Sequence, residues 1–427
     1  MEQILDVSML DFKGVYYSVR CLLHGHDPYK PGKVLRQYQL SGARHSSDPE
    51  VVRQVLSQYF YLPNAFAITA PVAFLTFGSA QLLWMVLNAA SLVVAAFLIW
   101  DVVEKYLPVV SASLVGLLLA TSGSVLAIGN AAGIAVGLCV VGAWCFVRGR
   151  FVAAGVFCMA ISLTVKPHDC LLIWLYFLLA NNSCRKRAIQ TIALTALIGL
   201  PSILWISHAA PNWSEELGSS IAANSKAGGL SDTGFASDAS RVSDSVINLQ
   251  SDVSVFIDDR RIADLVTFII VAPLFLFWGI AIFRSRLSPE NAWFGVAPIA
   301  ALSMLPIYHR QHDAKLLLLI VPAAVLLFTE GGAIGWFALV VTFITFVLIG
   351  DLSVFRVLLV RQLPNIGGGL LGKMMTVAFI RPVPLVLLVV SAFYVWVYLR
   401  RTRSGTHTEP IVDLGAPLPF RSSQDPR

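Results

Sequence analysis

The sequence predicts an all-α, polytopic membrane protein, and its composition and apolar runs carry that prediction. Of the 427 residues, 56% are hydrophobic and only 13% are charged, and the mean hydropathy is +0.72. A soluble globular chain carries about 25% charged residues, so this chain has too much apolar surface to bury in a water-soluble core. Apolar runs long enough to cross a bilayer recur about eleven times, which predicts about eleven transmembrane helices.

The predicted spans follow one another from residue 80 to residue 399. Several are short or interrupted by Gly and Pro, and such breaks are tolerated only where protein or a polar cavity covers the freed backbone. We place the spans at residues 80–100, 109–128, 131–147, 151–165, 170–180, 188–207, 263–283, 292–307, 316–328, 332–349 and 376–399.

Basic residues mark one face of the predicted bundle. Four clusters lie at the ends of spans, and an even number of spans separates each cluster from the next, so all four share one face. The positive-inside rule makes that face cytoplasmic. The net charge of +6 therefore reflects membrane orientation, and no nucleic-acid partner is expected. The clusters are Arg148 with Arg150; Arg185, Lys186 and Arg187; Arg284 with Arg286; and Arg400, Arg401 and Arg403.

Three regions follow from this topology. Residues 1–78 form an outer-face N-terminal loop with juxtamembrane helices, residues 79–399 form the transmembrane bundle with a long outer loop at 207–262, and residues 400–427 form a disordered cytoplasmic tail. Residues 58–78 are apolar enough for half a span. Because Pro63 and Pro71 interrupt them, we interpret them as a juxtamembrane or re-entrant segment.

Asp11 opens the polar stretch DFKGVYYSVRCLLHGHDPY, which precedes the first predicted span. The stretch is typical of an amphipathic helix that starts near Asp11, and Asp is a favoured N-cap residue. The second interpretation is catalytic: a carboxylate beside Tyr16 and Tyr17 at the outer membrane surface is suited to act as general base toward a substrate hydroxyl. The two roles do not exclude each other. The segment GHDPY, which contains Asp27, is predicted to be a turn.

Two short outer loops concentrate ionisable residues beside predicted spans, where charged groups are costly and mark candidate sites. The segment VKPHDC contains Lys166 and His168. Lys166 either snorkels to lipid headgroups or binds an anion. In PIYHRQHDAK, the side chains of His309, Arg310 and His312 are suited to phosphate oxygens. Structural pairing within that second loop is the alternative interpretation.

Neutral amides and candidate metal ligands complete the polar set. Asn130, Asn248 and Gln250 can hydrogen-bond sugar hydroxyls or cap helix ends. The second loop has two His and Asp313 as candidate metal ligands, but the chain has no other cluster with ligand spacing. We therefore expect neither a metal nor any other cofactor.

Taken together, these motifs resemble a family of C-type glycosyltransferases that use polyprenyl-phosphate sugars. The family includes bacterial α-1,2-mannosyltransferases and arabinofuranosyltransferases of envelope glycolipid synthesis. Its pattern is an Asp, an aromatic residue, a Tyr three or four residues on, a helix of small residues and Gly-x-Asp-Pro-Tyr. Further matches continue in order over roughly the first three-quarters of the chain. The matching residues are Asp11, Phe12, Tyr16, Gly25, Asp27, Pro28, Tyr29, Tyr61, Pro63, Ala70, Pro71, Trp84, Gly129, Asn130, Lys166, Pro167, Asn248, Leu249 and Gln250.

The resemblance implies a C-type glycosyltransferase fold with outer-face juxtamembrane helices and an inverting sugar transfer. The donor would be a polyprenyl-phosphate hexose, with mannose as first candidate, and the acceptor an envelope glycolipid or glycan. The enzyme would be a multi-pass protein of the bacterial inner (plasma) membrane with its active site on the extracytoplasmic face. Asp11 matches the family's general base. By location, Lys166, His309, Arg310 and His312 are expected at the donor phosphate, and Tyr16, Tyr17, Asp27, His168, Asn130, Asn248 and Gln250 at the acceptor or sugar.

One departure and two other functions accompany this resemblance. Members of the family carry a transmembrane helix before the Asp, and the ten residues before Asp11 are too few to form one. A transporter or lipid flippase would use the same ionisable groups as a substrate path, but transporters tend to show repeat symmetry and charges near mid-membrane. A catalytically inactive relative is the remaining alternative.

Overall fold

The computed structural model describes residues 9–42, 52, 61–226, 229, 231–234, 246–285, 289–351 and 369–404. The all-α prediction is confirmed, because the regular structure in these ranges is helical apart from one isolated antiparallel bridge. Six helical segments in these ranges are long and apolar enough to cross a membrane, one of them the interrupted segment Pro108–Ile128, and five shorter apolar helices accompany them. The chain is therefore an integral, multi-pass membrane protein, while the number of crossings stays a prediction.

The helices are numbered in chain order. The first ten are α1 Leu10–Leu23, α2 Pro31–Leu40, α3 Phe66–Ala73, α4 Phe77–Val103, α5 Pro108–Ala120, α6 Gly123–Ile128, α7 Ala132–Arg148, α8 Val152–Val165, α9 Pro167–Leu179 and α10 Asn182–Ala209. The others are α11 Trp213–Asn224, α12 Leu249–Val253, α13 Arg260–Arg284, α14 Pro289–Leu302, α15 Val321–Glu330, α16 Gly332–Ile349, α17 Leu370–Met375 and α18 Pro382–Ser404. Two 3₁₀ segments, Pro63–Ala65 and Asp313–Ile320, and a π-helical turn, Thr376–Ile380, interrupt the series.

Small residues let α4 and α7 approach closely, as is common between helices in membranes. A Cβ atom on Gly133 would lie 2.3 Å from Asn88 Oδ1, and one on Gly137 would lie 2.7 Å from the backbone of Ser91. The side chain of Asn88 also accepts a hydrogen bond from the Ile134 amide at 3.1 Å. These contacts fix the first turns of α7 against α4.

The basic clusters converge at one end of the bundle. Arg187 Nη1 donates to the Phe146 carbonyl at 2.6 Å, which joins the start of α10 to the end of α7. Near the end of α18, Tyr398 is hydrogen-bonded to Ser285, which follows α13, and it lies beside Tyr176, near the end of α9. The opposite ends of α7 and α9 therefore lie at the other end of the bundle.

The N-terminal helices pack at that other end. Helix α1 begins after Met9, which is the N-cap residue with φ 59°, so the predicted N-cap role for Asp11 is wrong. Asp11 lies in the first turn instead. The predicted turn after α1 is present, and Gly25 in it has φ +71°. Helix α3 has eight residues and is about 12 Å long, too short to cross a hydrocarbon core of about 30 Å.

The predicted span at 109–128 is broken between α5 and α6. The Thr121 carbonyl at the break accepts hydrogen bonds from Lys315 Nζ at 2.8 Å and from the Asp351 amide at 3.3 Å. Protein groups therefore cover part of the backbone that the break frees, as the Gly- and Pro-interrupted spans require.

Several predictions fall outside the described residues. They concern the predicted disordered tail at 405–427, the centre of the predicted outer loop at 235–245 and Arg286 of the third basic cluster. Residues 400–404 were also predicted to belong to the disordered tail, but they are helical and end α18. The division into three regions stays a prediction.

Candidate active site

The structure brings α1 and three interhelical segments around one cavity of about 250 Å³. The segments are the α6–α7 turn, the α8–α9 turn and the stretch between α14 and α15. Asp11 shares the cavity with cations from far along the chain. Half of the lining residues are acidic or basic: Asp11, Lys166, His168, Arg310, His312 and Asp313.

Aromatic packing and one glycine hold α1 at the cavity. The Phe12 ring stacks on the Trp84 ring with a centroid distance of 5.2 Å, and Trp84 Nε1 donates to the Gly129 carbonyl at 2.9 Å. Gly129 has φ +67°, and a Cβ atom there would lie 2.8 Å from Phe12 Cβ. Only glycine fits both this left-handed conformation and this close approach without strain. The turn therefore sets the position of α1 relative to α7.

Asn130, the residue after that glycine, bridges the acidic and basic sides of the cavity. Its Nδ2 donates to Asp11 Oδ2 at 2.5 Å. Its Oδ1 accepts from the Ala132 amide at 2.8 Å and from Lys166 Nζ at 3.4 Å. Because both contacts of Oδ1 are with donors, the NH₂ group of the Asn130 side chain must face Asp11.

Lys166 is buried and paired with carboxylates, so the snorkelling interpretation is wrong. Its ammonium contacts Asp313 Oδ1 and lies 3.3 Å from Asp169 Oδ2, and the residue is 5% exposed. Burial alone would lower the pKa of Lys166, but the charges of Asp169 and Asp313 raise it above its ordinary value. Lys166 is therefore a permanent cation at the cavity wall.

The segment from Pro306 to Asp313, here called the Arg310 loop, is held by its own hydrogen bonds. The Arg310 amide donates to Asp313 Oδ2 at 2.9 Å, and Arg310 forms the antiparallel bridge with Val246. Burial alone would raise the pKa of Asp313, but Lys166 lowers it below its usual value. Asp313 is thus an anion that fixes both Lys166 and the backbone of the Arg310 loop.

His312 lies in the same loop as a neutral ring. Its Nε2 is 3.5 Å from Asp313 Oδ1. Burial lowers the pKa of His312 to about 3, despite the Asp313 charge that opposes this shift. At neutral pH this side chain therefore offers hydrogen bonds rather than a positive charge, and Lys166 and Arg310 are the cations that line the cavity.

The carboxyl group of Asp11 is buried in the cavity lining. Burial raises the pKa of its carboxyl group above the usual range, while the Asn130 hydrogen bond and the charges of Arg310 and Lys166 oppose that shift. A carboxylate with a raised pKa accepts a proton more readily than an exposed one. Asn130 occupies Oδ2, which leaves Oδ1 for a substrate proton.

His168 in the cavity lining belongs to a second group, whose other members, Asp169 and His309, lie behind the lining. His309 is 1% exposed, and its Nε2 lies 3.6 Å from Asp169 Oδ1, whereas His168 Nε2 lies 3.3 Å from the same oxygen. These three residues are the set in the described part of the chain whose side chains lie close enough to share a cation. Lys166 already gives Asp169 a positive neighbour. The earlier metal candidate, which combined His309 and His312 with Asp313, is not the set that comes together.

Three residues expected at the acceptor lie outside the cavity lining. Tyr16 donates through its hydroxyl to the Leu75 carbonyl at 2.8 Å, and the Tyr17 hydroxyl bonds to Ser41 Oγ at 3.1 Å. Asp27 accepts a hydrogen bond from the Tyr29 amide at 2.9 Å. The two tyrosines tie α1 to its surroundings, and Asp27 stabilises the turn after α1. None of the three lines the cavity that contains Asp11.

Asn248 and Gln250 line a second cavity beside the first one. The backbone before α12 pairs with the Arg310 loop, since the Ile247 amide donates to the His309 carbonyl at 3.0 Å. The Gln250 side chain donates to the Pro306 carbonyl at 2.6 Å. The two cavities therefore share one wall.

Sequence reasoning missed the ion pairs that Asp169 and Asp313 form with Lys166, and it did not place Tyr61 in the cavity lining. Asp169 and Asp313 stand in the two ionisable loops, yet nothing in their spacing shows that both carboxylates meet Lys166. Tyr61 lines the cavity as well. Its place in the Tyr61-x-Pro63 match was a signal that could have identified it.

Comparison with known proteins gives one match. The profile of glycosyltransferase family 87 matches residues 59–307, which is more than half of the 427 residues. The matched stretch contains Asn130, Lys166, Asn248 and Gln250, whereas Asp11 and most of the Arg310 loop lie outside it. None of the curated proteins and none of the solved structures matches the chain.

Proposed function

Because the chain belongs to glycosyltransferase family 87, we propose that it transfers a sugar from a polyprenyl-phosphate donor to an envelope glycolipid or glycan, with inversion at the anomeric carbon. The family consists of polytopic membrane glycosyltransferases that use polyprenyl-phosphate sugars. The match therefore confirms the resemblance and the enzyme class predicted from the sequence, and it disfavours the transporter alternative. We propose a hexose as the transferred sugar, with mannose as first candidate.

One observation carries this proposal: Asp11 lines the same cavity as Lys166 and Arg310. Sugar transfer from a lipid phosphate needs a base for the acceptor hydroxyl and positive charge for the departing phosphate. No nucleotide-binding domain is required, because the donor is already activated. The cavity supplies both groups within about 250 Å³.

In the proposed step, Asp11 takes the proton of an acceptor hydroxyl while that oxygen bonds to the anomeric carbon. The bond between the anomeric carbon and the phosphate oxygen breaks, and polyprenyl phosphate leaves with the electron pair. Arg310 is the principal phosphate contact in this scheme, because the Lys166 ammonium is shared between two carboxylates. His312 donates a hydrogen bond, and His309 positions the loop from behind the wall.

We further propose that the cavity opens on the extracytoplasmic side of a bacterial inner membrane. The basic clusters meet at the ends of α7, α9, α13 and α18, and the cavity lies at the starts of α7 and α9. Helix α7 alone is about 25 Å long, so the two ends are separated by most of a bilayer core. The positive-inside rule supports the basic end as cytoplasmic.

The direct test replaces Asp11 by Asn in protein reconstituted with polyprenyl-phosphate mannose and a glycolipid extract. We expect Asp11→Asn to retain its thermal stability and to lose transfer by at least about 100-fold, because a general base contributes roughly 10²–10⁴-fold to the rate. The matched control is Asp101→Asn, which removes only a partly exposed ion pair with Arg148 at the basic end. The control should retain full activity, and turnover by Asp11→Asn would remove Asp11 from the mechanism.

A further inference from the structure

The second group, His168, Asp169 and His309, has the spacing of metal ligands. His168 and Asp169 stand in the first turn of α9, and His309 comes from the Arg310 loop. Asp169 Oδ1 lies 3.3 Å from His168 Nε2 and 3.6 Å from His309 Nε2, and the three atoms lie within 4.8 Å of one another. Two atoms bound to one tetrahedral zinc ion are about 3.3 Å apart, so the distances around Asp169 Oδ1 fit a shared ion.

A hydrogen bond turns the lone pair of His309 toward Asp169. Its Nδ1 donates to the Ile307 carbonyl at 3.2 Å, so a neutral ring carries no proton on Nε2. His309 Nε2 and Asp169 Oδ1 therefore face each other as two acceptors, and neither has a hydrogen-bond partner among the described residues. Both residues are at most 2% exposed, and buried polar atoms are almost always satisfied. An ion between the two atoms would satisfy both, and a backbone carbonyl on the other ring nitrogen is the usual support of a histidine ligand.

The charges around the first cavity also leave room for a cation. Asp11, Asp169 and Asp313 supply three carboxylates, whereas Lys166 and Arg310 are the permanent cations among the described residues of the lining. Lys166 approaches Asp169 at Oδ2, the oxygen that the histidines do not contact, and it is shared with Asp313. Buried charges are normally paired or bound to metals. One shared ammonium group balances only part of the charge on Asp169.

The first cavity gives an ion a path to this group. His168 lines the cavity, and its side chain is 36% exposed, compared with 1% for Asp169 and His309. The His168 ring therefore has space to turn toward an arriving ion, and water from the cavity would complete the coordination. Two imidazoles and one carboxylate favour zinc over Mg²⁺ and Ca²⁺, because those ions take oxygen ligands.

We propose that His168, Asp169 and His309 bind one Zn²⁺ ion whose fourth position is open to the first cavity. The sequence predicts no metal, because the third ligand stands in a distant loop and no local spacing reveals it. The bound ion joins the start of α9 to the Arg310 loop. This site goes beyond the proposed sugar transfer and does not depend on it.

The test measures bound zinc directly. The full chain is purified in detergent with an affinity tag that contains no histidine, freed of metal with a chelator and titrated with Zn²⁺ against a chromophoric indicator. We expect one zinc per chain, with two imidazole ligands in X-ray absorption at the zinc edge. His168→Ala and His309→Ala should each weaken zinc binding by at least about 100-fold, because loss of even an outer partner of a ligand costs about 10- to 100-fold.

The matched control is His312→Ala, which removes another histidine of the same loop. His312 Nε2 lies 3.5 Å from Asp313 Oδ1, and His312 is outside the proposed ligand set. This variant should bind one zinc as tightly as wild type does. At zinc concentrations that just saturate wild type, the midpoint of thermal unfolding should rise in wild type and His312→Ala but not in His168→Ala.

Three outcomes would overturn the zinc site. Wild type could bind no zinc, which would leave a proton between Asp169 and His309. His168→Ala and His309→Ala could both bind zinc as wild type does, which would place the ion elsewhere, or His312→Ala alone could lose it, which would place the ion at Asp313. Failure of the proposed function is read separately, as continued sugar transfer by Asp11→Asn.

Discussion

At the scale of single residues, Asn130 links the proposed base to the cations. One side of its amide donates to Asp11, and the other accepts from the Ala132 backbone and from Lys166. A neutral side chain thus holds a carboxylate close to an ammonium group without letting them pair directly. Direct pairing would favour the charged form of Asp11 and weaken it as a base.

The pH dependence of transfer should report this arrangement. Burial raises the pKa of Asp11, so activity should fall on acidification at a higher pH than for an exposed Asp, whose pKa is about 3.9. The Asn130 hydrogen bond lowers that pKa, so Asn130→Ala should move the acidic limb of kcat/KM to still higher pH. An acidic limb that stays in place or moves to lower pH in Asn130→Ala would contradict this assignment.

At the scale of elements, the site depends on how α1 docks against the α6–α7 turn. Phe12 lies between the Trp84 ring and Gly129, and the Met9 amide donates to the Ala127 carbonyl at 2.7 Å. Because Asp11 stands next to Phe12, a shift of the docked helix would move the carboxylate away from the cations. Docking of a short helix thus decides whether the cavity has a base.

Gly129→Ala tests this docking. A left-handed alanine costs about 1–2 kcal/mol and forced overpacking about 1–3 kcal/mol, so this variant should lose roughly 2–5 kcal/mol of stability together with transfer activity. Gly149→Ala is the matched control. Gly149 caps α7 at φ +66°, and its nearest neighbour is the flexible end of Arg187 at 3.8 Å.

Gly149→Ala should therefore lose only the stability that a left-handed alanine costs, and it should retain transfer activity. Thermal unfolding in detergent and sugar transfer measure the two effects. Equal losses in both variants would show that the contact with Phe12 does not position α1.

At the scale of the whole molecule, the bundle has two chemically different ends. One end gathers arginines from four parts of the chain, and the other holds α1, the cavity and the Arg310 loop. A polyprenyl-phosphate donor keeps its tail in lipid, so both the base and the cations must lie near one membrane surface. The convergence of distant loops at one end meets this requirement.

Cysteine labelling of intact cells tests the proposed orientation. His26, in the turn after α1, and Arg150, after α7, are both exposed. A membrane-impermeant maleimide should label His26→Cys in intact cells and Arg150→Cys only after permeabilisation. The wild-type chain is the background control, because five of its six free cysteines are buried. The reverse labelling pattern would place the cavity on the cytoplasmic side.

Much of this organisation was predictable because it depends on composition and local pattern. The low share of charged residues predicted membrane spans, and the motif around Asp11 predicted the family. The details of helix ends were less predictable. Asp11 looked like an N-cap, but Met9 is the N-cap residue of α1. Asp11 in the first turn is instead hydrogen-bonded to Asn130, 119 positions away, a contact that no local pattern reveals.

Membrane insertion and membership of a sugar-transferase family could be predicted from the sequence alone, because hydropathy and short motifs do not depend on how the helices pack. The contacts between distant polar groups could be identified only in the folded protein. Lys166 and Asp313 are 147 residues apart and form one buried ion pair, whereas Tyr16 and Tyr17 stand close to Asp11 in sequence and turn away from its cavity. The physical reason is that the chain order of loops says little about which helix ends are neighbours, and helix packing alone brings such loops together.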